Sequence, residues 1–195
     1  MTIDSKTYTA TTSSTGYATF KVSFGVGSHT SSYSYNGNNL NAPSSGNTTL
    51  QAKKITSVSI KNLVSGENTV KNYYQSYNKL PASLTTGGVT FTMPEFLNVL
   101  SQAIVQSGSS NTKDVGIISG VKTPASPSGD SIISKQLTKS YYLTWAKNIA
   151  NYIKEHKQAP NYASSSVGKV PYKELVDATA RIVAFYGNNG NTMPT

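Results

Sequence analysis

A ten-residue pattern occurs twice in this chain, at an interval of 79 residues. Residues 72–81 read NYYQSYNKLP and residues 151–160 read NYIKEHKQAP. The register continues past the proline, because Glu95 and Glu174 open the apolar runs EFLNVLSQAIV and ELVDATARIVA at the same interval. A fixed interval without gaps indicates a duplicated unit. The 195 residues are therefore predicted to contain small modules rather than one large enzyme core.

The composition favours a surface protein with small cores. Hydrophobic residues make up 36% of the chain and charged residues 13%, while Ser, Thr, Asn and Tyr are abundant. The absence of cysteine excludes disulfides, thiolate catalysis and cysteine-bound zinc. No apolar run is long enough for a membrane span, and MTIDSKTYTATT lacks the hydrophobic centre of a signal peptide. For a secreted parent protein, the signal is expected upstream of this segment.

Each copy of the pattern predicts a helix, a hairpin and a second helix. Apolar and aromatic residues recur at intervals of three and four before each proline, which indicates an amphipathic helix that the proline ends. TTGG at residues 85–88 predicts a β-hairpin, and Thr92 with Pro94 is typical of a helix start. The predicted inner faces comprise Leu63, Val70, Tyr73, Tyr74, Tyr77, Phe96, Leu97, Leu100 and Ile104 in the first copy, and Tyr142, Trp145, Ala146, Ile149, Tyr152, Ile153, Leu175, Val176, Thr179, Ile182, Val183 and Tyr186 in the second.

The beginning of the chain reads as antiparallel strands. Residues 17–24, YATFKVSF, alternate apolar and polar side chains and predict a half-buried strand. KTYTATT, SHTSSYSY and GNTTLQAKK supply three more, together about half of a β-sandwich. SSTGYATFKV and GSHTSSYSYNGNNLNAPSS resemble the last strands of the bacterial-type immunoglobulin-like repeats of long surface adhesins. Open strand edges of such a half-sandwich favour self-association with a second chain.

The predicted fold class is α+β, with an N-terminal antiparallel β module followed by two helix–hairpin–helix units. The sequence leaves open whether the two units pack together. The predicted boundaries are 1–54 for a partial immunoglobulin-like module, 55–106 for the first unit, 107–130 for a linker rich in Ser, Gly and Pro, 131–187 for the second unit, and 188–195 for a frayed tail.

The positive charge is uneven. The chain carries a net charge of +9, of which +5 falls in residues 131–195. A basic surface attracts polyanions such as nucleic acid, anionic lipid or acidic glycan, and charge alone does not choose among them. The lysines are scattered rather than clustered, so a solvated helix face and a ligand-facing patch both remain open.

The duplicated segments resemble the pseudomurein-binding repeat of methanogenic archaea. NYIKEHKQAPNY and VPYKELVDATARIV carry the resemblance in the second copy, and NKLPASLTTGGVTFTMPEFLNVLSQAI fits the pattern more closely in the first. The two copies cover over half of the chain. The second copy departs at Ala159, where leucine is usual, and at Val167 and Gly168, where two glycines are usual. The matching positions are Lys79, Leu80, Pro81, Gly87, Gly88, Met93, Glu95 and Phe96, then Gln158, Ala159, Pro160, Tyr162, Tyr172, Glu174 and Leu175.

The resemblance implies a function in wall binding. It implies a non-catalytic module that anchors an adhesin-like surface protein, outside the cell, to pseudomurein, a wall polymer with an acidic aminouronic sugar and peptide crosslinks bearing Glu and Lys. The same repeats occur in peptidases that cleave those crosslinks, so the wall-targeting part of such an enzyme is an alternative. A general polyanion binder is a second alternative, which only the charge favours; we expect no nucleic-acid partner.

The sequence contains few candidate residues for catalysis or metal binding. The chain has two histidines, His29 in a predicted strand and His156 near a helix end, and eight scattered acidic residues that match no metal-ligand spacing. GVG at residues 25–27 and TTGG fit turns, since no Lys-Ser or Lys-Thr follows them as in a phosphate-binding loop. No catalytic residue, metal or cofactor is therefore predicted.

The candidate ligand contacts surround each proline and hairpin. Aromatic rings there stack on sugar rings, lysines pair with carboxylates, and loops on a rigid scaffold commonly carry sites. Tyr73, Tyr74, Trp145 and Tyr152 are predicted to be core instead. The two prolines are also expected to end helices, and Glu95 and Glu174 to favour helix starts through the dipole. The candidates are Tyr77, Pro81, Asn72, Asn151, His156, Pro160, Tyr162, Tyr172, Lys154, Lys157 and Lys169.

Overall fold

The computed structural model describes residues 1–130, 137–165 and 168–195. It combines helices with an antiparallel sheet and smaller hairpins, which confirms the predicted α+β class. The chain divides into two compact units, Met1–Lys54 and Ile55–Thr195. No helix in the described ranges is long and apolar enough to cross a membrane.

The first unit is a four-stranded antiparallel sheet made of β1 (Thr2–Ile3), β2 (Lys6–Thr7), β3 (Gly27–Tyr35) and β4 (Ser44–Ala52). The strand order is β2-β1-β3-β4. β3 and β4 pair over nine residues each, whereas β1 and β2 are two residues long. The Asp4 carboxylate joins the turn after β1 to β3, because it contacts the His29 ring and accepts a hydrogen bond from the Thr30 N–H at 3.1 Å. The contact with Asp4 raises the pKa of His29.

The strand predicted over residues 17–24 is wrong, because those residues lie outside the strands of the sheet. Tyr17 is 76% exposed, and Phe24 is exposed as well although its ring lies 4.6 Å from that of His29. A strand that alternates in this way needs a neighbouring strand and an apolar layer to cover. Ile3 is the one buried apolar side chain of this fully described unit, so that layer is missing.

The second unit contains the sequence helix, hairpin, helix twice. Each element of the second segment starts 79 residues after its counterpart in the first, the interval at which the pattern recurs in the sequence. The first segment comprises α1 (Ile60–Tyr77), β6 (Ser83–Thr86), β7 (Val89–Thr92) and α2 (Met93–Gly108), and the second comprises α3 (Lys139–His156), β9 (Tyr162–Ser165), β10 (Gly168–Pro171) and α4 (Tyr172–Asn188); β5 (Ser57–Val58) and β8 (Val115–Gly116) form a short ladder beside them.

Local sequence explains the bounds of these elements. Ser59 precedes α1, and its Oγ accepts a hydrogen bond from the Asn62 N–H at 3.2 Å. The first hairpin turns through Gly87 and Gly88 with φ of 58° and 76°, the left-handed pair that a tight type I′ turn requires. Before α2, the Glu95 carboxylate accepts from the Thr92 N–H at 2.9 Å, as in a capping box.

The two segments interlock. The main helix contacts join α1 to α4, α2 to α3, and α2 to α4. The first helix of each segment therefore packs on the second helix of the other, and one hydrophobic cluster extends from Val58 to Met193. The two predicted units share a single hydrophobic core and are therefore not separate domains.

Matching glycines sit at the two crossed helix contacts. A Cβ added at Gly187 would lie 2.3 Å from Val64 Cγ2, and one added at Gly108 would lie 2.5 Å from Leu143 Cδ2. Gly108 and Gly187 are 79 residues apart, as are Val64 and Leu143. The same close approach thus recurs at α1–α4 and at α2–α3.

Segments predicted as a linker and a frayed tail are packed. Val115 and Val121 are buried, and the Ala159 N–H donates to the Lys122 carbonyl at 2.9 Å, which fastens the region before residue 131 to the second segment. At the end of the chain, Met193 is buried and the Tyr142 hydroxyl donates to the Pro194 carbonyl. The expected fraying is wrong because Met193 joins the core.

We expect Gly187→Ala to lower the free energy of unfolding by about 1–2 kcal/mol, because the added methyl meets a stiff valine. Gly108→Ala should lower the free energy of unfolding by less than Gly187→Ala does, since the end of the Leu143 side chain moves aside more easily than a valine. Denaturant unfolding measures both. Gly116→Ala, where an added Cβ meets nothing within 4 Å, is the matched control. Equal stability of Gly187→Ala and this control would contradict the close-packed crossing.

Candidate functional site

The ends of α1 and α3 carry matching pairs of exposed aromatic rings. The ring centroids of Tyr73 and Tyr77 are 4.8 Å apart, and those of Tyr152 and His156 are 4.3 Å apart, with both pairs tilted by nearly the same angle. The members are four residues apart and so lie on one helix face. All four side chains are exposed, and Tyr77, at 63%, is the most exposed of the three tyrosines among them. We call these the two aromatic platforms.

The core positions predicted for Tyr73 and Tyr152 are wrong. The buried stripe of α1 runs through Leu63, Val70 and Tyr74, which leaves Tyr73 at its edge, about 60° from Val70 and about 100° from Tyr74 around the helix. In α3 the stripe ends at Ile153, and Tyr152 is displaced in the same way. Apolar character alone does not distinguish neighbours at the edge of a helical stripe.

Most predicted contact residues lie on the surface of the second unit. Tyr162 is half-buried, with the Lys169 Nζ 4.7 Å from its ring centroid, so the second hairpin presents a cation over an aromatic face. Asn151 and Lys154 line a cavity of about 280 Å³ between α2 and α3. The exposed candidates are Tyr77, His156, Asn72, Asn151, Lys154, Lys157 and Lys169.

Three predicted contact residues are buried instead. Tyr172 begins α4 and is 9% exposed, because this helix packs against both α1 and α2 and its first turn points into the core. Burial raises the pKa of the Tyr172 hydroxyl. Pro81 and Pro160 are also buried, shortly after the left-handed residues Asn78 and Lys157 that end α1 and α3. Both prolines therefore serve the fold, and their burial leaves them unable to contact a ligand on the surface.

A cleft between α1 and α4 was missed by sequence reasoning. It has a volume of about 720 Å³, and apolar as well as polar residues line it, including Tyr142 of α3 and Pro194 near the end of the chain. The signal that was available is the placement of Glu67 and Asp177 within apolar stripes, where charge is unexpected. The residues lining this α1–α4 cleft are Tyr74, Gln75, Asn78, Leu137, Tyr142, Glu174, Asp177, Ala178, Arg181, Ile182 and Pro194.

Among the described residues that line the α1–α4 cleft, Asp177 and Arg181 form an ion pair and two polar atoms are unpaired. Arg181 Nε donates to Asp177 Oδ2 at 2.8 Å. Asp177 Oδ1 and the Tyr74 hydroxyl are buried without a hydrogen-bond partner. Burial raises the pKa of Tyr74, and the Glu174 and Asp177 carboxylates raise it further.

Glu67 lies near this ion pair and is 3% exposed. Burial raises its pKa above the ordinary value of 4.5; Lys71 and Arg181 partly oppose the shift, and Asp177 adds to it. The α1–α4 contact thus holds a carboxyl group whose ionised form is disfavoured.

We expect Glu67→Gln to raise the melting temperature at pH 7. A raised pKa means that the folded state holds the proton more tightly than the unfolded state, so stability falls as the pH rises past 4.5 towards the folded pKa. The glutamine side chain does not ionise, so this loss of stability is absent in the variant. The difference in melting temperature from wild type should therefore shrink below pH 4.5. Melting temperatures between pH 3.5 and 8 measure it, with the exposed Glu155→Gln as control. A Glu67→Gln protein that melts lower than wild type at pH 7 would contradict this electrostatic account.

Among the described residues, no three His, Asp or Glu side chains are grouped to hold a metal ion. Comparisons of the chain with protein-family models, with curated proteins and with solved structures found no match. The functional assignment therefore depends on the aromatic platforms, the surface lysines and the α1–α4 cleft.

Proposed function

We propose that this chain is a non-catalytic cell-wall binding module that anchors an adhesin-like surface protein to pseudomurein outside the cell. The observation that carries the proposal is the pair of aromatic platforms, Tyr73 with Tyr77 and Tyr152 with His156, at equal positions in the two segments. A duplicated contact surface on one chain suits a ligand that is itself repetitive.

Exposed rings favour a carbohydrate ligand. Tyrosine and histidine present flat apolar faces that stack on sugar rings, and their polar edges hydrogen-bond to hydroxyl groups. Asn72 and Asn151 directly precede the two platforms and are exposed, so their amides supply further hydrogen bonds to the same ligand.

The lysines of the second segment complement an acidic polymer. Lys154 and Lys157 flank His156 at the end of α3, and Lys169 lies on the second hairpin beside Tyr162. Each contact between an exposed lysine and a uronate or peptide carboxylate is worth no more than about 1 kcal/mol. Two platforms on one chain convert such weak contacts into firm attachment, because the second contact forms at a high effective concentration.

The first unit supports a stalk role in the same proposal. β4 is a nine-residue strand at the edge of its sheet, and Tyr33 and Tyr35 of the neighbouring β3 are exposed. An uncovered edge of this length favours pairing with another strand, either of an adjoining module or of a second copy of the chain.

The proposal is tested by co-sedimentation with purified pseudomurein sacculi, beside bacterial peptidoglycan and cellulose, at low and high salt. We expect retention by pseudomurein that persists in high salt. Tyr77→Ala or His156→Ala alone should weaken retention about 2- to 10-fold, as for loss of one aromatic contact, and the double variant should abolish it.

Tyr141→Ala is the matched control, because Tyr141 is an exposed tyrosine of α3 outside the platforms. Equal retention by every polymer that disappears in salt would replace the proposal by general polyanion binding. Full retention of the double variant would remove the platforms from the binding surface.

A further inference from the structure

The two crossed helix contacts are related by the 79-residue interval, yet their polar residues differ. At the α1–α4 contact stand Tyr74, Asp177 and Arg181. The corresponding positions at the α2–α3 contact are Ile153, Asn98 and Gln102. Packing of this helix pair therefore does not require an acid, a guanidinium and a phenol. Asn98, the counterpart of Asp177, is also buried with both of its side-chain polar atoms unpaired, so what distinguishes the α1–α4 contact is its charged groups.

Two atoms in the α1–α4 cleft lack the partners that buried polar groups normally have. Asp177 is 9% exposed and Tyr74 is 7% exposed, and both side chains line the cleft. Neither Asp177 Oδ1 nor the Tyr74 hydroxyl takes part in a hydrogen bond. Leaving such groups buried and unpaired is costly, and the great majority are paired in folded proteins. A bound group that donates hydrogen bonds would satisfy both atoms.

The unpaired carboxylate oxygen indicates the kind of group. Arg181 directs its Nε to Asp177 Oδ2, and the Lys173 Nζ lies 5.9 Å from the centroid of the Tyr74 ring, so both carboxylate and cationic groups surround the cleft. Asp177 Oδ1 is left without a donor. Hydrogen bonds from a charged donor to a carboxylate are the strongest that such an oxygen can accept, which favours a cationic donor at this point.

The space is large enough for a small molecule. A volume of about 720 Å³ lies within the usual range of ligand pockets. Asn78 and Glu174 also border a second cavity of about 680 Å³, where the Tyr172 hydroxyl is another buried group without a partner. Lys173, which lines this second cavity, donates from its Nζ to Asn78 Oδ1 at 3.2 Å.

We propose that the α1–α4 cleft binds the primary ammonium group of a small ligand, either an amino acid side chain or an amino sugar. The ammonium donates to Asp177 Oδ1, and the Tyr74 hydroxyl accepts a second N–H or a ligand hydroxyl hydrogen. Arg181 holds the other oxygen of Asp177 and so orients the carboxylate. This site is separate from the aromatic platforms and does not depend on wall binding.

The test is an amide NMR titration of the full chain at constant ionic strength with two amine probes. Nα-acetyl-L-lysine represents the amino acid source, and D-glucosamine represents the amino sugar. Nα,Nε-diacetyl-L-lysine and N-acetyl-D-glucosamine are the controls that lack the ammonium group. We expect saturable shifts at Tyr74, Asp177 and Arg181 with one amine and none with its acetylated form. The amine that binds identifies the source.

Two near-isosteric variants test the site while keeping the shape of the side chains in the core. Asp177→Asn should weaken binding of the amine at least about tenfold, as for loss of a hydrogen bond to a charged group. Tyr74→Phe removes only the hydroxyl and should weaken it about threefold, with the spectrum otherwise unchanged. Asp114→Asn, at an exposed acid elsewhere, is the control for charge.

Absence of saturable shifts with both amines would overturn the proposal. Equal shifts with the acetylated controls, or unchanged amine affinity in both cleft variants, would overturn it as well. Retention on sacculi is a separate readout, so the wall-binding proposal and the ammonium site fail or succeed independently.

Discussion

The crossed packing of α1 on α4 and of α2 on α3 is the contact on which the second unit depends. Neither segment covers its own helices, because each first helix finds its main partner in the other segment. The close approach at Gly108 and Gly187 lets the helix ends meet without a side chain between them. Burial of both segments in one cluster compensates for a chain in which only 36% of residues are hydrophobic.

The same packing determines where polar groups end up. α4 contacts both α1 and α2, so a wide part of its surface is covered, and Glu174 and Asp177 are buried with it. The α1–α4 cleft exists because the two segments meet along it; neither segment alone supplies both walls. The aromatic platforms, by contrast, lie at the ends of α1 and α3, beyond the buried stripes, where a ring is free to meet an external ligand.

Local signals predicted the second unit well and the first unit poorly. Helices and the first hairpin followed from periodicity, from TTGG and from Thr92 with Pro94, because these act over a few residues. Residues 17–24 carried an equally regular pattern but lacked a covering layer, which no local pattern reveals. Within the site, the exposure of His156 was predictable from its place beside the proline, whereas Tyr77 was also assigned to the inner face of its helix and is exposed. The burial of Tyr172, the exposure of Tyr73 and the α1–α4 cleft depend on which helices meet, and this is a property of the assembled chain.

A shared core has a mechanical consequence for the two platforms. Their separation is set by rigid helices and not by a flexible tether, so it does not adjust to the ligand. A strand of the proposed polymer can occupy both platforms only where the spacing of its units matches that fixed distance.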